Sequence, residues 1–80
     1  MIYTIAYLKQ TCIDDPQTLE IGKQGNRYFV SLGSSEGHAT KVFDSRTEAY
    51  KVFEKLSGWL VFHYYTKAAR LEYLKTGTMP

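Results

Sequence analysis

Apolar and polar positions alternate along the first half of the chain and recur at helical spacing along the second. Ile2–Leu8 is rich in β-branched and aromatic residues and predicts a strand. Ile2, Thr4, Ala6 and Leu8 fall on one face and Tyr3, Ile5 and Tyr7 on the other. Apolar groups on both faces lead us to expect a strand that is central or covered on both sides. Thr11–Gln17 contains Asp14-Asp15-Pro16, which marks a loop. Thr18–Gly22 alternates around Leu19 and Ile21. Arg27–Leu32 alternates again, with Tyr28, Val30 and Leu32 opposite Arg27, Phe29 and Ser31. His38–Phe43 is a further strand of the same run. Two short glycine-bearing turns, Gly22–Asn26 and Gly33–Gly37, join these runs into an antiparallel meander.

The period changes after Phe43. Ser45 and Glu48 form an S-x-x-E capping box, in which each side chain can satisfy a donor left open by the first helical turn. Ala49, Val52, Phe53 and Leu56 follow at i, i+3, i+4 and i+7, a stripe suited to packing on a sheet. Ser57-Gly58 is expected to end or kink this helix. A second helix is expected from Trp59 to Lys75. Leu60, Val61, Tyr64, Ala68, Leu71 and Lys75 line one side of it, and Trp59, Phe62, Thr66, Arg70 and Tyr73 the other. Thr76-Gly77 terminates it, and Met79-Pro80 reads as a frayed end. The expected fold is a single α+β domain over 1–80, an antiparallel sheet of three or four strands followed by two C-terminal helices.

Composition narrows the function classes. Eighty residues build one modest core without a cleft between domains. Seven Tyr, four Phe and one Trp supply large buried or interfacial surface. The ten Lys and Arg are interleaved with eight acids, and the net charge of +2 is too mild to point to nucleic acid by itself. Cys12 is the single cysteine, so no internal disulfide forms, and a cytoplasmic setting is expected. Met1 precedes a strand-like pattern with no basic segment, so no signal peptide is expected. The apolar run Trp59–Tyr65 is too short to cross a bilayer, so no membrane partner is expected.

Candidate chemistry is sparse. Cys12, Asp14, Asp15, His38 and His63 are the available metal ligands, and none forms the close pair that zinc sites use. No nucleophile turn or cysteine-protease signature accompanies Cys12. Gly22-x-x-Gly25 and Gly33-x-x-x-Gly37 lead from strand to strand, so they read as hairpin turns and not as phosphate loops. Neither an enzymatic activity, a metal nor a cofactor is expected.

Two kinds of interface fit the pattern. Aromatic residues left over from the Leu60–Tyr64–Leu71 stripe, namely Trp59, Phe62, Tyr65 and Tyr73 with Arg70 beside them, are the expected protein-binding surface. Arg70 there can bridge to a carboxylate or stack on a ring. A homodimer through this face is a second use of the same surface. The alternative is a nucleic-acid-binding sheet face carrying Arg27, Phe29 and Lys41. The string Val42-Phe43-Asp44-Ser45-Arg46-Thr47-Glu48-Ala49, at the end of a meander, resembles the arm-type DNA-binding domains of tyrosine integrases.

A second resemblance rests on Phe43-Asp44-Ser45 at the strand-to-helix junction, then Phe53, then the break at Ser57-Gly58 before the last helix. That layout resembles a small type I-F anti-CRISPR protein. The resemblance implies a phage or mobile-element inhibitor that binds a host protein or ribonucleoprotein defence complex and blocks it by occupancy. It transfers no binding residue to this chain.

Overall fold

The structure is a computed structural model that describes residues 2–10 and 16–78. The expected loop around Cys12, Asp14 and Asp15 falls largely outside the described residues, as do Met79 and Pro80. The element order is β1 (Ile2–Gln10), β2 (Gln17–Gln24), β3 (Arg27–Ser34), β4 (Gly37–Phe43), α1 (Arg46–Val61) and α2 (Lys67–Thr76). The strands form one antiparallel sheet in the order β1-β2-β3-β4. The chain is therefore an α+β meander with two C-terminal helices, as its alternation predicts. The β2–β3 turn places Gly25 at φ 61, a left-handed value that matches the twist of the flanking strands at no Cβ cost.

Both helices lie on one face of the sheet. Leu19, Ile21, Val30, Leu32, Ala39 and Phe43 point to them and meet Ala49, Leu56, Trp59, Leu60, Leu71 and Leu74 in a single buried core. The Ser45 cap is in place: its backbone is extended, and the Glu48 N–H donates to Ser45 Oγ at 3.4 Å.

The first strand departs from expectation. A meander puts β1 at the sheet edge, not at its centre. Its register shifts between Thr4 and Ala6, so Ile5 is an extra residue. The bulge reverses the parity: Thr4 stands opposite Gly22, whereas Ala6 stands opposite Ile21 of the core face. Thr4 and Ala6 thus point to different sides. Tyr7 is left exposed on the helix-free face.

The larger correction concerns the helix break. α1 does not end at Ser57-Gly58; it runs through Gly58 to Val61, and Phe62 N–H still donates to Gly58 O at 3.0 Å. The break falls at 62–66, a stretch with no glycine or proline. The single helix expected from Trp59 to Lys75 is therefore divided between the end of α1 and α2. Leu60 and Leu71 are buried as expected, but Val61, Tyr64 and Ala68 are exposed. Trp59 and Arg70, assigned to the outer stripe, are buried. Neighbouring residues on a helix differ by about 100°, so Arg70 and Leu71 can both face inward once α2 has its own orientation.

Gly58 thus sits inside a helix with a negative φ, and a Cβ built on it meets nothing within 4 Å. Replacing it removes backbone entropy from the unfolded chain and adds no clash. Gly58→Ala is expected to stabilise the domain by about 1 kcal/mol in urea unfolding.

Candidate protein-binding surface

The turn between the helices is built from residues that ordinarily avoid it. His63 N–H donates to Leu60 O at 3.4 Å and Tyr64 N–H to Trp59 O at 2.8 Å. That is the paired hydrogen bonding of a Schellman C-cap, with His63 at φ 58 in the position usually held by glycine. Two residues later Tyr65 adopts φ 63. A bulky residue in the left-handed region is an outlier that persists only where its surroundings over-determine it. Thr66 then caps α2, its Oγ1 accepting the Ala69 N–H at 3.0 Å.

Two contacts supply that over-determination. The first is Arg70, 4% exposed, one helical turn into α2. Its Nη1 donates to the carbonyls of both Tyr64 and Tyr65 at 2.7 Å, and its Nη2 donates to Gln17 Oε1 at 2.7 Å. One guanidinium therefore ties the inter-helix turn, α2 and the first residue of β2 together. The planar fork of arginine suits this divergent set of acceptors, which an ammonium on a flexible stem does not match. The second contact is Trp59, 8% exposed, whose ring meets Tyr65 edge-on at 4.8 Å and Tyr73 at 5.0 Å. Lys55 Nζ lies 5.5 Å from the Tyr73 ring centroid and covers that cluster.

The expected binding residues thus divide. Trp59, Tyr65 and Tyr73 come together, but around a buried indole. Arg70 is buried and acts as an internal clamp on the turn carbonyls and Gln17. Phe62 stays outside at 68% exposure, joined by Tyr64 at 57%, with ring centroids 6.0 Å apart. Val61 and Tyr65 are exposed beside them, so the whole run 61–66 faces solvent. The sequence reading missed Tyr64 and Val61 because it carried one helical phase across the turn. A run of three aromatics within four residues, with no glycine to absorb a turn, was the available signal.

The alternative sheet face holds together less well. Arg27 and Phe29 do share the helix-free face, but Lys41 does not: it pairs with Val30 and so points to the helix side, 5.5 Å from the Phe43 ring. Period-two alternation decides this, since Lys41 is one residue out of phase with Thr40, the partner of Ser31. Phe29 is only 8% exposed, standing opposite Gly22 and Val42. Arg27 is paired with Asp44 at 3.1 Å. Glu20, hydrogen-bonded to Thr4 Oγ1, adds negative charge to the middle of the face. Among the described residues no group of three or more His, Cys, Asp or Glu is placed to hold a metal ion, and no helix is long and apolar enough to cross a membrane.

Arg70→Met keeps the apolar stem and removes the fork. It leaves two turn carbonyls and Gln17 without their donor, and a loss of about 3 kcal/mol in chemical denaturation is expected. Chymotryptic cleavage at Phe62–Tyr65 should rise with it. Comparison with protein-family models, with curated proteins and with solved structures found no match to this chain.

Proposed function

We propose that this chain is a non-enzymatic binding module that engages a protein partner through the turn between its helices, with Phe62 and Tyr64 as anchors. The observation that carries this reading is that two large rings are exposed on a turn whose backbone is held rigid from beneath by Arg70 and Trp59. Aromatic side chains on a pre-ordered backbone lose little entropy on binding, and rings of this kind dominate interface energies. Leaving such rings in water gives nothing to the fold itself. Val61 and Tyr65 extend the patch, and Trp59 and Tyr73 serve as its internal support.

The finer reading is an inhibitor of the anti-CRISPR kind, encoded by a phage or mobile element and acting in the cytoplasm by masking a host defence complex. Its support is the Phe43-Asp44-Ser45 junction, where a strand does pass into an N-capped helix. The displaced helix break removes the other shared landmark. The nucleic-acid reading retains Arg27 on the open sheet face but loses Lys41 from it.

The test uses the full chain immobilised against a purified type I-F CRISPR effector complex and, separately, against proteins of a bacterial lysate. Phe62→Ala/Tyr64→Ala should leave folding stability within about 0.5 kcal/mol and weaken capture at least ~30-fold, as loss of two aromatic anchors does. Capture should change little between low and moderate salt. Binding lost on Arg27→Ala and steeply weakened by salt, yet indifferent to Phe62 and Tyr64, would instead establish the nucleic-acid reading. Retention of a lysate protein but not of the effector complex rejects the finer reading alone.

A further inference from the structure

The turn at 62–66 sets two opposed tendencies against each other. His63 and Tyr65 hold left-handed backbone without being glycine, and no glycine or proline occurs between Trp59 and Thr76. No helix-breaking residue type therefore prevents α1 from continuing straight into α2, and doing so relieves both left-handed residues. In a continuous helix the Tyr64 and Tyr65 carbonyls accept from the backbone N–H groups of Ala68 and Ala69, so they lose no hydrogen bond when Arg70 releases them. Against this stand the Arg70 clamp and the Trp59–Tyr65 contact, which exist only while the turn is bent.

A fused helix from Arg46 to Thr76 is a rod of about 46 Å at the helical rise, longer than the 36 Å greatest extent of the folded chain. Its second half cannot stay over its own sheet. α2 docks chiefly on β4, with Leu71 and Leu74 in the core and the Arg70–Gln17 bond reaching β2, and touches α1 much less. Every contact that α2 makes with the sheet can therefore be remade by the α2 of another copy.

We infer that this chain forms a dimer with a second copy of itself by straightening the 62–66 turn and exchanging α2, so that the exposed run Val61–Tyr65 lies where the two long helices cross. Strained hinges that join otherwise intact contacts are the ordinary route to such exchange. In the exchanged dimer Phe62 and Tyr64 face the companion helix and no longer face solvent. The exchange stands apart from the proposed partner-binding role, since it is read from mass alone.

The full chain is unfolded in denaturant and refolded at about 1 mM and at about 1 µM, a spacing chosen so that mass action favours dimers only in the first. Its mass is then followed by light scattering. A species of twice the monomer mass is expected from the concentrated sample, persisting for hours after dilution because exchange requires α2 to undock. His63→Gly/Tyr65→Gly removes the strain and weakens the straight helix. It should raise the dimer dissociation constant by at least ~100-fold, while Arg70→Lys, which loosens the clamp, should lower it. In a Cys12→Ser background carrying Ser35→Cys and Lys67→Cys, whose parent side chains meet at 3.2 Å, a short bismaleimide should link chain to chain in the dimer fraction and within one chain in the monomer. Absence of a dimer at 1 mM in both the parent and Arg70→Lys overturns the inference. So does a dimer cross-linked only within chains, or one indifferent to the glycine pair.

Discussion

The buried guanidinium of Arg70 is the interaction on which the arrangement of this small domain depends. Burying a charge is costly unless it is hydrogen-bonded, and here three acceptors come from two places, one beside Arg70 in the sequence and one far from it. Two are carbonyls of the inter-helix turn and the third is the Gln17 side chain at the start of β2. The clamp closes a circuit of helix, turn and sheet. Without it α2 rests on the sheet chiefly through Leu71 and Leu74, and the turn keeps two bulky residues in left-handed backbone with the Trp59–Tyr65 contact as its main remaining support.

That circuit explains why aromatic surface is exposed on so small a chain. Trp59 and Tyr73 are used inside, as the ring cluster against which Tyr65 rests. Phe62 and Tyr64 are pushed outward by the same turn geometry, since the Schellman hydrogen bonds point the backbone of 62–64 back along α1. The exposure is thus a consequence of how the turn is held, which links the proposed binding role and the proposed exchange of α2 to one structural cause. In the bent state the rings face outward; in the straightened state they face a second copy.

The helix-free sheet face offers a contrast. Its groups are matched among themselves: Arg27 with Asp44, Thr4 with Glu20, Ser31 with Thr40 at 2.7 Å. Phe29 fills the space beside Gly22, where no side chain competes with it. A face with paired charges and internal hydroxyl bonds attracts a polyanion weakly. The bulge at Ile5 and the inward-pointing Lys41 also blunt the two sheet edges against strand addition.

Much of the fold was legible because its signals are local. Alternation set the strands, glycine-bearing turns set the meander, and Ser45-x-x-Glu48 set the start of α1, all through interactions between residues a few positions apart. What the residues by themselves could not decide was where α1 stops. Gly58 is the conformationally permissive residue, yet permissiveness does not compel a break, and its hydrogen bonds run on as helix. The break at 62–66 is imposed by contacts across the fold: Gln17 and Arg70, 53 positions apart, and the Trp59 ring against Tyr65 and Tyr73. The same contacts turn Trp59 and Arg70 from outer residues into inner ones, and Tyr64 from core to surface. Local sequence therefore determined the elements and their order. Tertiary structure decided the turn and which aromatics reach solvent, because a buried cation must find its acceptors wherever the fold supplies them.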